Sequence, residues 1–283
     1  MVELEIVDLT PRFLDFYVAA REQRAGPELR WQLWQERYGF AAVPPTPDGR
    51  ELARRLLEEA WDRYPEVIDR IRAGAAGLQP APLPVLQRVI ALLRCPAVAV
   101  RLVVFVGFLE GNAFGYGHEG RPTVCIPVEQ DPTARELTLP HEFTHAVHLV
   151  TAGLSGGWER PVAQIVMEEG LATRVTEALV PGREPAEYVE FSPGWLARCG
   201  ERREAILRGI REHLGDHSAE AVHRFTVGTG TTGLEREAYY AGWLVVGHWL
   251  DQGRTLAELA HVPPERMVPE VEDALVGLLR DTA

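Results

Sequence analysis

Along residues 1–94, apolar positions recur at spacings of three and four in Phe13–Ala20, Trp31–Tyr38, Leu52–Ala60 and Val67–Ile71, a period that predicts helices. Proline-rich breaks at Val43-Pro-Pro-Thr-Pro-Asp and Gln79-Pro-Ala-Pro-Leu-Pro separate them. After Pro96 the pattern changes. β-Branched and aromatic residues fill Val98–Phe108 and, beyond a run of turn residues, Pro122-Thr-Val-Cys-Ile-Pro-Val, which predicts a short antiparallel sheet. Helical patterns return after Asp131-Pro132, a cap followed by proline at the first helical position. They continue through Arg160–Leu179, Pro193–Leu214, Glu235–Asp251 and Glu265–Leu279. The expected fold class is therefore α+β, mostly α, with a helical N-terminal region over 1–94 and a second domain over 95–283 that holds the small sheet and the later helices.

With 283 residues, 46% of them hydrophobic and 25% charged, the chain can bury a sizeable core and lacks the composition of disordered or fibrous sequences. No apolar stretch of about 18 residues occurs, and the acidic start Met1-Val-Glu-Leu-Glu lacks the bases of an export signal, so the expectation is a cytoplasmic protein without a membrane span. Cys95, Cys125 and Cys199 have no CxxC spacing and are read as reduced thiols. A net charge of −12 with interspersed signs leaves no basic stripe, which argues against a nucleic-acid partner. All 29 basic residues are arginine. Without lysine the chain cannot supply a phosphate-loop lysine, a Schiff base or a lysine general base.

The candidate chemistry lies at His141-Glu142-Phe143-Thr144-His145, an HExxH pattern inside a helical segment. Two histidines four apart lie about 40° from each other around a helix, so both imidazoles can reach one metal ion. Glu142 is offset by about 100° and can reach a metal-bound water instead. With nine histidines in the chain, chance alone yields this pattern in about 3% of such sequences, so the motif needs independent support. That support stands 24 residues after His145, in Met167-Glu168-Glu169-Gly170-Leu171-Ala172, a second helical segment that offers an acidic third ligand.

With these two motifs the chain resembles the gluzincin metallopeptidases, in which the HExxH helix is followed by a helix whose glutamate sits in a Glu-Gly-(aromatic or Leu)-Ala context. It is similar in particular to uncharacterised bacterial families of zinc-dependent proteases. The resemblance covers roughly residues 97–250. It implies a zincin-like catalytic domain over 95–283, zinc held by His141, His145 and Glu169, Glu142 as general base, and a peptide or protein substrate. Glu168 is the competitor to Glu169, but it lies about 100° around the helix and lacks the motif match. Glycine and histidine do not stand at His148 and Thr151, which excludes the metzincin pattern; His148 is read as a packed or hydrogen-bonded neighbour of the site. Pro140 either starts the HExxH helix or kinks it.

The resemblance also implies an oxyanion donor from a later helix or loop. The candidates are Tyr239 and Tyr240, followed by His223 and His217. Thr173 is the candidate support for the ligands. Gly111-Asn-Ala-Phe-Gly-Tyr-Gly resembles the edge strand along which zincins bind extended peptide, or else is a bent hairpin. Asn112, the sole asparagine, reads as either a positive-φ turn residue or a substrate contact. Two other functions keep the motif: a zincin-like domain that binds zinc or a partner without turnover, and a hydrolase of non-peptide amides or esters.

Overall fold

The computed structural model describes residues 2–43, 46–118, 121–155, 157 and 159–280. Pro44 and Pro45, in the first proline-rich break, lie outside the described residues. The class is α+β, mostly helical, with one small four-stranded sheet. The chain divides into two compact units, residues 2–83 with 99–139 and residues 84–98 with 140–283.

The first unit holds β1 (Val2–Asp8), α1 (Thr10–Glu22), α2 (Pro27–Arg37), α3 (Pro47–Trp61), α4 (Tyr64–Ala73), the start of α5 (Pro82–Leu93), β2 (Val98–Phe105), β3 (Phe114–His118), β4 (Arg121–Pro127) and the first turns of α6 (Pro132–Thr151). Strand β1 corrects the all-helical reading of residues 1–94. Its sequence alternates Val2, Leu4, Ile6 against Glu3 and Glu5, a strand period, and it takes one edge of the sheet, with Glu5 paired to Arg101 and Arg121. The sheet order is β1-β2-β4-β3. The hairpin β3–β4 is antiparallel as expected, but β2 and β4 pair in parallel, Arg101 opposite Thr123 and Phe105 opposite Pro127, so the sheet is mixed. Residues 106–113 carry the chain past β2 before β3 begins, and the hairpin then brings β4 back alongside β2 in the same direction. β3 is the other edge.

Phe13, Phe16, Tyr17 and Ala20 form the buried stripe of α1 and pack with Tyr38, Trp61 and Tyr64, ring centres 4.9–6.1 Å apart. Two of these tyrosines cap the end of β2: Tyr38 Oη donates to the Val106 carbonyl (2.8 Å) and accepts its N–H (2.7 Å), and Tyr64 Oη donates to the Gly107 carbonyl (2.9 Å). Asp131 accepts the Thr133 N–H at the start of α6, which begins at Pro132 as predicted.

Behind this corner Glu129 is buried, with Oε1 accepting the Gly107 N–H at 2.8 Å and Oε2 without a partner. Burial, reinforced by nearby Glu110, pushes its pKa up to about 7. Because the folded-state value lies above the unfolded one, the stabilisation from the protonated carboxyl is full below about pH 4.5 and is lost as pH rises through about 7. Wild-type chain should therefore lose about 2 kcal/mol of unfolding free energy between pH 5 and pH 8, and Glu129→Gln should lose clearly less. Denaturant titrations at the two pH values check this, and equal losses in both proteins would remove Glu129 as the cause.

The second unit holds the rest of α5 and α6, α7 (Val162–Leu179), α8 (Pro185–Val189), α9 (Trp195–Glu201), α10 (Arg203–Arg211), α11 (Ala219–Thr226), α12 (Glu237–Asp251), α13 (Leu256–Leu259) and α14 (Pro264–Arg280). Helix α7 is its centre, buried from Val162 to Met167 and again from Glu169 to Thr173. Helix α12 lies along it, and α11 and α14 pack against both. At the crossing, Gly170 meets Gly242 backbone to backbone: a Cβ on Gly170 would stand 2.1 Å from the Gly242 carbonyl oxygen, and one on Gly242 would stand 2.3 Å from that of Val166. All three cysteines are buried and form no disulfide. Among the described residues, no helix is long and apolar enough to cross a membrane.

Candidate metal centre

Helix α6 runs through Pro140, which is neither its start nor its end. Proline contributes no N–H there, and Thr144 Oγ1 donates to the Pro140 carbonyl at 2.7 Å. Phe143, Thr144, Val147 and His148 turn inward and are fully buried, which leaves His141, Glu142 and His145 on the partly open side. Helix α7 supplies Glu169 from within the core, 6% exposed. A carboxylate so placed requires positive or donor partners.

Those partners are the two histidines. His141 Nε2 and His145 Nε2 lie 3.1 Å apart, and Glu169 Oε2 lies 3.3 Å from the first and 3.5 Å from the second. The three donor atoms thus form a nearly equilateral triangle. Among the described residues it is the one group of three or more His, Cys, Asp or Glu gathered closely enough to hold a metal ion. Glu169 Oε2 is buried without a well-formed hydrogen bond, an orphaned acceptor of the kind a cation satisfies. Burial alone would raise the Glu169 pKa, but the charge of His145 and His141 close to it holds it far below the carboxylate range. Burial likewise opposes charge on His145, and the Glu169 carboxylate outweighs it, raising the pKa to about 9. The triad therefore attracts positive charge strongly. Burial, with Glu169 adding to it, pushes Glu142 upwards against the two histidines.

Glu168 is committed elsewhere, to Arg160 Nε (3.0 Å) and Gln164 Nε2 (2.6 Å). His148 is packed and neutral, its pKa pushed down to about 3 by burial and by His145, and it stands outside the triad. Thr173 gives its hydroxyl to the Glu169 backbone carbonyl (2.9 Å), so it braces the helix rather than the Glu169 carboxylate.

Of the two candidate tyrosines, Tyr239 is the one that interacts with Glu169 and Glu142. The Gly170–Gly242 contact brings the neighbourhood of Glu169 against α12, and Tyr239 stands one turn before Gly242. Its hydroxyl faces the Glu169 carboxylate; burial, then the charges of Glu169 and Glu142, keep it protonated, well above the phenol range. Tyr240 is 4% exposed and packs on Trp195 and Trp243, ring centres 6.4 Å away in each case, on another side of the helix. The i to i+1 offset of about 100° makes the difference. His217 and His223 are exposed. Asn112 precedes β3 on the exposed surface and is not among the positive-φ residues; Gly111 beside it has that conformation, φ 73°.

The conformation before α12 escaped the sequence reading. Arg236, before α12, has φ 57° and ψ 36°, a left-handed conformation that costs a non-glycine residue about 1–2 kcal/mol. Its neighbours hold it there. Glu235 pairs with Thr229 and accepts the Trp195 indole N–H at 2.9 Å, while the buried Glu237 carboxylate accepts the N–H and hydroxyl groups of Thr231 and Thr232 at 2.6–3.0 Å. Compared with protein-family models, curated proteins and solved structures, the chain shows no match.

Proposed function

We propose that this chain is a zinc-dependent hydrolase that cleaves peptide bonds, with His141, His145 and Glu169 as ligands and Glu142 as general base. The observation that carries the reading is the triangle of 3.1, 3.3 and 3.5 Å. Zinc–nitrogen and zinc–oxygen bonds of about 2.0–2.1 Å at tetrahedral angles put neighbouring ligand atoms about 3.3–3.4 Å apart. Three protein ligands also leave one position open, and the partial exposure of both histidines gives it access to solvent. Zinc held by these residues would supply Lewis acidity for activating water and polarising a carbonyl. Glu142 then takes a proton from the attacking water as its oxygen bonds to the carbonyl carbon, and passes that proton to the amine nitrogen as the C–N bond breaks. The Tyr239 hydroxyl, kept protonated, is a hydrogen-bond donor for the oxygen on which charge develops.

Metal content and cleavage of unstructured peptides test the reading together. Wild-type chain should carry one zinc, lose cleavage on chelation and regain it with added zinc, and Glu169→Ala should lose most of the metal while Glu168→Ala keeps it. Full zinc in Glu169→Ala with loss in Glu168→Ala would overturn the ligand set. Zinc-replete protein that cleaves no peptide would overturn the activity.

A further inference from the structure

Arg236 carries its guanidinium over two aromatic rings, the central carbon 4.8 Å from the Phe191 ring centre and 5.3 Å from that of Tyr239. It is half-buried, and among the described residues it makes no ion pair. Other arginines of the same unit are tied to carboxylates: Arg160 to Glu168, Arg174 to Glu177 and Arg254 to Glu270. Contact with ring faces restricts the side chain and satisfies none of its N–H donors, so the fork can take a carboxylate in two hydrogen bonds. The left-handed backbone fixes where this side chain starts, and the bonds of Glu235 and Glu237 on either side keep that conformation in place.

Tyr239 links this cation to the triad. The 5.3 Å to the ring centre, about 3 Å from ring centre to hydroxyl and one hydrogen-bond length bound the guanidinium within roughly 12 Å of the Glu169 carboxylate. One or two residues of extended chain at about 3.4 Å each, with a carboxylate–guanidinium contact at the end, cover that span. We propose that Arg236 is a specificity-determining residue that binds a substrate carboxylate within two residues of the scissile bond, foremost the C-terminal carboxylate of a peptide. The inference rests on the zinc-hydrolase reading and makes the enzyme one that trims C-terminal ends. An aspartate side chain near the scissile bond offers the same chemistry from a second source.

The test uses the zinc-loaded full chain and three hydroxamate probes that anchor on the metal. One ends in alanine with a free carboxylate, one in alanine amide and one in aspartate amide, and affinities are measured by calorimetry. Wild type should bind the free acid about tenfold or more tightly than the alanine amide, and in Arg236→Gly that ratio should fall to about one. Glycine adopts φ 57° without strain, so this variant keeps the backbone; Arg236→Lys, charged but without the fork, should give an intermediate ratio. A preference for the aspartate amide that also depends on Arg236 would support the carboxylate site and assign it to acidic side chains. Equal binding of all three probes by wild type, or a preference that persists in Arg236→Gly, would overturn the inference and leave the hydrolase reading intact. Protein that binds neither zinc nor any probe would overturn both.

Discussion

Glu142→Gln should lower kcat by about a thousandfold while the purified protein keeps its zinc. Glutamine has nearly the same shape as glutamate and cannot accept the proton of the attacking water, so the change removes the base and little else. Glu142 is not one of the three gathered ligand atoms, and the triangle of His141, His145 and Glu169 does not depend on it. Its surroundings suit a proton carrier. Burial and the Glu169 charge push its pKa up, against the pull of the two histidines. Tyr239→Phe belongs in the same series and should lower kcat by about a hundredfold with metal content unchanged, whereas Tyr240→Phe, altering a core ring, should leave kcat near wild type. The measurements are steady-state rates on a peptide substrate and elemental analysis of each variant. Wild-type turnover in Glu142→Gln would dispose of the general-base role, and parallel loss of zinc would make Glu142 a ligand.

Gly170→Ala should destabilise the protein by about 3 kcal/mol or more and weaken zinc binding as well. The added Cβ would lie 2.1 Å from the Gly242 carbonyl oxygen and 2.4 Å from its carbon, with Val246 Cγ2 at 2.7 Å. Two of these three atoms are backbone in a helix and cannot rotate away. Helices α7 and α12 must therefore separate, at the core of their unit and next to Glu169. The usual preference of a helix for alanine over glycine, up to about 1 kcal/mol, is too small to offset this. Gly200→Ala serves as the control, because nothing lies within 4 Å of a Cβ at that helical position and the substitution should be neutral or mildly stabilising. Thermal melts and zinc titrations of both variants give the answer. A Gly170→Ala protein as stable as Gly200→Ala would mean that the helix contact is looser than its 2.1 Å implies.

Local periodicity carried much of this fold. The buried stripe of α1, the cap and proline that begin α6, and the (i, i+4) placement of His141 and His145 are all legible in short segments. The helical period separates Glu169 from Glu168 and Tyr239 from Tyr240 once one member of each pair is known to face the site. It could not say which member does. Arg160 and Gln164 take Glu168, and the tryptophans at 195 and 243 take Tyr240, because of how helices pack rather than how each one winds. Strand β1 was legible in its alternation of apolar and acidic residues, but the parallel pairing of β2 with β4 was not, since strand order depends on the path of residues 106–113 and no periodicity encodes that path. Gly170 was visible as part of a motif, while its purpose appeared only when Gly242, 72 residues later, came to lie against it. Arg236 gave no signal in the chain. Its left-handed backbone and its two aromatic walls come from Thr229, Trp195, Phe191 and Tyr239, residues from separate segments that only tertiary packing brings around one guanidinium.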